Sequence, residues 1–403
     1  MNTLLKPVKL LLLSLLLATG LAYAADSLRP QVGKPLQAAQ ELIKAQKYSE
    51  ALAKIKETDA ITDKTAYETL VIERMRGTAA AGAGDMDTAG KAFEAAINSG
   101  KLPPDEQLKI MQALAGGFYR AKDYPKAIAW GQKYQKAGGT DPNLNLLLLQ
   151  AQYLSGDYAG AAKAMQDQIA QDQKAGKTPK EEDLQLLASC YLKQNDGAGY
   201  VGALEQLVTY YPKKDYWADL LTRVQRKPGF SERLELDVYR LMQATGNLKS
   251  ADDYMEMAQL ALQAGFPAEA QKVINDGYAR KVLGTGAEAA RQKRLKDLAD
   301  KQAQDDQKTL DADTTGKDAT ALIATGYNLV INGRTDKGLG LMQQGMAKGG
   351  LKHPDEARLH LGEAYLAAGK TEEANKQFRQ VQGNDGAQDL AKLFALSKGG
   401  AKG

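Results

Sequence analysis

The chain holds a single cysteine, Cys190, among 403 residues. That excludes an internal disulfide, a thiolate metal cage and a cysteine-pair redox motif. Cys190 reads as a small apolar residue packed inside a helix. Histidine is nearly as scarce: His353 and His360 are the only two, with Pro354 between them. No His-Glu-x-x-His run and no third ligand accompanies them, which argues against zinc. They read as a residue at a helix start and a surface residue. There is no Gly-x-x-x-x-Gly-Lys-Ser/Thr run, and Gly82-x-Gly84 and Gly284-x-Gly286 follow helical stretches rather than strands. The acidic pairs Asp252-Asp253 and Glu372-Glu373 fall near helix starts, where the helix dipole favours them without catalysis. With no nucleophile–base pair, metal set or phosphate loop, the chain reads as a non-enzyme that takes no cofactor and no metal.

Excess charge is missing too. Lys and Arg number 53 against 49 Asp and Glu, a net +4, which makes no case for nucleic-acid binding. Long apolar runs are absent after the first 24 residues, so no transmembrane anchor is expected once that segment is removed. Residues 1–24 themselves combine Lys6 and Lys9, an apolar run from Leu10 to Leu17 broken only by Ser14, and the small-x-small site Ala22-Tyr23-Ala24. That pattern predicts a signal peptide cleaved after Ala24, a mature start at Ala25 and a net charge lowered from +4 to +2 by loss of the two lysines. No cysteine follows the cleavage site and no Asn-x-Ser/Thr sequon occurs. The expected location is the bacterial periplasm.

What the chain has in quantity is a repeated phrase. A bulky residue, a turn and a small residue recur in YRAKDYPKAIAWGQKY, YLSGDYAGAAKAM, AGDMDTAGKAFEAA and LGEAYLAAGKTEEANKQF. The small residue falls at Ala51, Ala89, Ala127, Ala161, Ala203, Ala270 and Ala374, with Gly338 in the same place. The spacings are 38, 38, 34, 42, 67, 68 and 36, so each long gap conceals one further unit. The last unit is the clearest. Gly362 and Ala374 are small enough for two antiparallel helices to approach, and Leu361, Tyr365 and Phe378 fill the space around them. Gly369 suits the left-handed residue that closes a helix, and Thr371 suits a cap for the next.

A period near 34 carrying two helices resembles the tetratricopeptide repeat superfamily over roughly residues 35 to 395. Some units depart from its pattern: Gly131 stands where a large residue is usual, Leu149 where a small one is, and Gly338 replaces alanine. At Ala203 the turn is longer. The hidden units read as a helix–break–helix over 214–245, broken at Pro228-Gly229, and one long charged helix over 287–310. The expected fold is therefore all-α, an α-solenoid of stacked antiparallel helical hairpins in a tetratricopeptide-like superhelix. Its expected divisions are the signal peptide 1–24, an N-terminal array 25–283, a charged helix and linker 284–316, and a C-terminal pair of repeats with a terminal helix, 317–403.

The resemblance implies a non-catalytic scaffold for protein–protein interaction, placed in the bacterial cell envelope. The concave wall, made by the first helix of each hairpin, would receive a peptide or partner protein. Inward candidates are Arg74, Gln112, Tyr119, Arg120, Asn143, Gln150, Tyr153, Gln185, Ser189 and Lys193. Arg74, Arg120 and Lys193 would favour an acidic partner or a terminal carboxylate. The lysine and asparagine clamp of chaperone-binding members is not recognisable. The aromatic group Tyr210, Tyr211, Tyr216 and Trp217 reads as packing between units, or else as an anchor for a partner. The alternative role is an accessory subunit of an envelope enzyme or of a secretion or transport assembly.

Overall fold

A computed structural model describes residues 27–310, 312 and 314–399. The expected signal peptide and its cleavage site lie outside the described residues. Twenty α-helices and two short 3-10 turns, Glu57–Ala60 and Glu232–Leu234, account for the regular structure among them, with no strand. In order they are α1 (Pro30–Lys44), α2 (Tyr48–Lys56), α3 (Ala66–Ala83), α4 (Met86–Asn98), α5 (Pro104–Arg120), α6 (Tyr124–Lys136) and α7 (Pro142–Ser155). There follow α8 (Tyr158–Lys174), α9 (Glu181–Lys193), α10 (Gly197–Tyr210), α11 (Lys214–Gln225), α12 (Glu235–Ala244), α13 (Ala251–Gln263) and α14 (Pro267–Ala279). The last six are α15 (Ala289–Thr309), α16 (Ala319–Ile331), α17 (Thr335–Lys348), α18 (Pro354–Ala367), α19 (Thr371–Phe378) and α20 (Ala387–Gly399). The chain divides into two compact units within α8, between Asp167 and Gln168.

The hairpins repeat one local recipe. Five residues before the packed small residue, the backbone is left-handed: φ is +59° at Gln46, +86° at Gly84, +61° at Lys122, +83° at Gly156, +81° at Gly265, +82° at Gly333 and +72° at Gly369. This residue reverses the chain and lets backbone N–H groups close the preceding helix. In α4 and α6 an aspartate follows it as N-cap: Asp85 accepts from Thr88 N and Asp123 from Lys126 N, at 3.0 and 3.2 Å. Four residues after that aspartate lies the small residue. Ala51, Ala89, Ala127, Ala161, Ala270 and Ala374 are wholly buried.

Five sequence expectations need correction or an explanation. The turn before α10 is no longer than those before α2, α6 and α19, and the register moves instead: the left-handed residue is Asn195, so Tyr200 takes the small residue's place at the fourth helical position, one turn ahead of the buried Ala203. Gly362 faces the ring of Phe378, which a Cβ there would strike, and not Ala374. Thr371 does not cap α19: Lys370 holds that position and makes no side-chain cap bond. Glycine at 338 has a plain reason. A Cβ on it would come 2.5 Å from the Gly326 carbonyl oxygen, so α16 and α17 approach more closely than an alanine permits. Gly131 is small for a similar cause, since Leu148 fills the space its side chain would occupy.

In the first unit, α1 to α7 stack hairpin upon hairpin. One core gathers Val32, Leu36, Ile43, Ile55 and Ile72. The next gathers Phe93, Ile110, Leu114, Phe118, Trp130 and Leu148. The N-terminal end is pinned by Glu68, which is fully buried, shares a capping box with Thr65 and receives Arg29 at 2.7 Å.

The second unit returns on itself. Its terminal helix α20 packs on α18 and α19 and also on α10 and α12. Ser231 N donates to Asp385 O at 2.8 Å, Lys227 pairs with Asp389 at 2.8 Å, and Lys392 pairs with Glu205 at 2.6 Å. Trp217 is buried, and the hydroxyls of Tyr210, Tyr211 and Tyr216 bond to Gln173, Pro179 O and Glu181. The aromatic group is thus packing between successive helices. The charged α15 is largely solvated, yet Gln292, Ala299 and Ala303 bury one stripe as it lies on α14.

Candidate functional site

In the first unit, first helices of neighbouring hairpins lie side by side, and their polar residues meet one repeat apart. Arg74 of α3 pairs with Glu106 of α5 at 3.2 Å. Gln112 of α5 donates to Asp141 at the start of α7. Tyr119 of α5 donates its hydroxyl to Gln150 of α7 at 3.0 Å. Second helices are tied likewise, Lys126 to Asp87 at 2.6 Å and Lys133 to Glu94 at 2.5 Å. Both faces of the array therefore carry a ladder of polar contacts at the repeat distance.

Several candidates are consumed by this ladder and one is not. The charge of Arg74 is met by Glu106. Arg120 is exposed and has no ion pair or hydrogen bond to its side chain among the described residues; partial desolvation against the helices holds its guanidinium below its ordinary value. On the neighbouring first helix, α7 presents Leu146 (49% exposed), Gln150 and Leu154 (54%) at i, i+4 and i+8, with Gln150 taking the Tyr119 hydroxyl. Tyr153 adjoins them, its ring 5.4 Å from that of Tyr158, and Asn143 is exposed at the start of the same helix. Two of the four exposed large hydrophobics among the described residues thus share one helix face. In the second unit, Gln185 donates to the Tyr216 hydroxyl at 2.5 Å, Ser189 is half-buried and Lys193 is exposed.

The second unit also holds a buried charged cluster where none was expected. His360 is not a surface residue. Its Nε2 lies 3.1 and 3.2 Å from the Asp237 carboxyl oxygens, within a group that includes Arg240, Glu269, Tyr327 and Glu363. Arg240 bonds Asp237 at 2.7 Å, Glu269 at 2.8 and 2.7 Å and Glu363 at 3.3 Å. Its guanidinium carbon stands 4.6 Å from the centre of the Tyr327 ring and 5.3 Å from that of Phe266. Tyr327 donates to Glu363 at 2.9 Å.

Burial sets the proton positions. It would raise Asp237, but His360 and then Arg240 outweigh it and hold that carboxyl below its ordinary value. Burial, reinforced by Asp237, pushes Glu363 up to about 8. For His360, burial works against the charged form, yet the facing Asp237 prevails and lifts it to about 9. At neutral pH the proton therefore sits on Glu363, and Asp237 and Glu269 balance Arg240 and the imidazolium. Oε1 of Glu363 has no hydrogen-bond partner, a smaller penalty for a neutral carboxyl than for a carboxylate. A sequence signal existed for Asp237 alone: it lies between Leu234 and Leu241 on an otherwise apolar face. Nothing local linked it to His360.

The hairpins, their closing residues and their buried small positions define an all-α repeat protein of stacked antiparallel helical hairpins. No protein-family profile matches the chain, and no curated protein sequence matches it. Among solved structures it is similar to the TPR2AB domain of yeast Sti1 in its pHSP90 complex, with 12% identity, 73% of this chain and 99% of that one covered, and a TM-score of 0.23. It is also similar to the TPR domain of P58(IPK), with 13% identity, 91% and 99% covered, and a TM-score of 0.23. At that TM-score the likeness adds no weight to the fold seen in the chain's own hairpins.

Proposed function

We propose that this chain is a non-catalytic binding scaffold and that the α5–α7 face of its first unit receives an extended peptide of a partner protein. One observation carries this reading: Leu146 and Leu154 stand exposed on a single face of α7, on either side of the Gln150 that takes the Tyr119 hydroxyl of α5. Exposed leucines gathered on one face favour contact with another molecule. Gln150 between them offers an amide to a peptide backbone, and Tyr153 adds apolar surface at little ordering cost. Arg120 favours a partner with an acidic side chain or terminal carboxylate nearby. We also propose that the protein is exported and works in the bacterial envelope, supported by the composition of residues 1–24. An accessory role in an envelope enzyme or a secretion or transport assembly would use the same face with a different partner.

The test is site-specific photocrosslinking in cells. A crosslinker at Leu154 is compared with one at Glu94, on the second-helix face. Capture of one protein from position 154 alone, abolished by Arg120→Glu in a folded variant, is the expected result. Equal capture at both positions, or capture indifferent to Arg120→Glu, would move the binding surface elsewhere.

A further inference from the structure

We propose that a cleft of about 410 Å³ in the second unit binds a small monocarboxylate with an apolar body. This goes beyond the scaffold reading and concerns another part of the molecule. The volume lies in the range of small-ligand sites. The cleft is lined by α12, α16, the loop before α18 and the first turns of α18. Phe266, Ile323, Ala324 and Leu351 supply apolar walls. Ala324 of α16 is exposed and lines the cleft.

The charges on the lining decide the ligand's sign. Its two acids are already occupied: Asp237 by Arg240 at 2.7 Å and by His360, and Glu356 by Arg233 at 3.1 Å. No carboxylate is left to hold a cation. Lys352 and His353, by contrast, line the cleft with no side-chain hydrogen bond or ion pair among the described residues. An anion can meet the Lys352 ammonium without breaking an internal pair.

A dianion such as phosphate fits less well. The start of α18 is a poor anion site, since Pro354 lacks an N–H and Asp355 and Glu356 occupy the first turn. One lysine and one histidine beside apolar walls match a single carboxylate attached to an aromatic or branched body. Free acids and the C-terminus of a peptide share that chemistry, and the structure points to the free acid because the cleft is small.

The experiment is calorimetric titration of the full mature chain with 3-phenylpropionate, with the neutral 3-phenylpropanamide, and with the tetrapeptide Gly-Gly-Gly-Phe. Saturable binding of the free acid at millimolar concentration is expected. Binding should be about tenfold or more weaker for the amide, and weaker by a similar factor for Lys352→Glu, whose exposed position leaves the fold intact. Ala324→Phe should block the cleft from the opposite wall and abolish binding with Lys352 still present. If only the tetrapeptide binds, the small-acid assignment is overturned and the carboxylate belongs to a chain end. Equal binding of acid and amide, or no binding of either acid or tetrapeptide, overturns the site.

Discussion

The two units use the same hairpin but handle charge in opposite ways. In the first, ions sit on the two faces of the array, one repeat apart. Its one wholly buried acid among the described residues, Glu68, is kept ionised: Arg29 outweighs burial and lowers it to about 2. In the second, α12 and α18 bury acids and bases against each other, and one carboxyl, Glu363, keeps its proton up to about 8. The difference teaches that burial alone does not decide a buried acid's state. Glu68 takes both side-chain bonds of Arg29 to a carboxylate, with Asp63 acting only from further off. Glu363 shares Arg240 with Asp237 and Glu269, so its own charge would be one too many.

The sharpest way to break this contrast is to remove the shared cation. Arg240→Met leaves three carboxyl groups buried without it and should destabilise the second unit by about 3–5 kcal/mol. Each unit carries one of the two tryptophans, Trp130 and Trp217, both buried. Urea unfolding followed in single-tryptophan variants should show the loss at Trp217 and a smaller one at Trp130. Coincident, unshifted curves would mean the cluster carries no weight.

Comparable in size is a pH dependence of opposite sign. Glu363 is raised from 4.5 to about 8, so the folded second unit holds an extra proton over that interval and loses stability as pH rises through it. The contribution of His360 is complete below 6.5 and is lost as pH rises through about 9. Glu68 has the reverse sign: its contribution is complete above 4.5 and is lost as pH falls towards about 2. Each pH unit spanned by one such proton corresponds to about 1.4 kcal/mol. The Trp217 transition should therefore weaken on the alkaline side, where Glu68 gives the Trp130 transition no such loss; on the acid side both weaken, the first unit through Glu68 and the second through Asp237. Matching profiles from the two tryptophans would contradict the assignment of the proton to Glu363.

A packing test is smaller. Gly338→Ala places a Cβ against the Gly326 carbonyl oxygen, where backbone on both helices must move, and should cost about 1–3 kcal/mol. At Ala89 in the first unit the same position already carries a Cβ. A thermal melt of Gly338→Ala that overlays the parent would show that α16 and α17 can separate freely. The smallest effect is a gain. Lys122 holds φ at +61°, and Lys122→Gly should stabilise the first unit by about 0.5–1 kcal/mol, read as a raised melting temperature. No gain there would mean that the lysine side chain stabilises the turn by an equal amount.

Much of the hairpin fold was legible because its determinants are local. Ala89, Gly84 and Asp85 lie within six residues of one another, and each states its part through size, backbone freedom or capping chemistry. Thr371 misled for the same reason: several residues near a helix start suit a cap, and small differences in turn geometry choose among them. On the candidate face, Tyr119, Arg120, Gln150 and Tyr153 could be projected from the helical period. The pairing of Arg74 with Glu106 could not, since it depends on how one hairpin lies upon the next. Leu146 and Leu154 carried no mark of exposure, because a leucine-rich helix reads as core until its neighbours are placed.

By itself, then, the sequence determined the helical hairpin, its period and the small residues at its crossing, since these follow from steric size and backbone angles within about one repeat. Tertiary structure alone decided that α20 returns to α10 and α12, and that His360 meets Asp237 across 123 residues. Ion pairs act through distance in space and through what surrounds them, and neither quantity is written in local spacing. The proton on Glu363 and the cleft beside it exist only because three charged helices were brought face to face away from water.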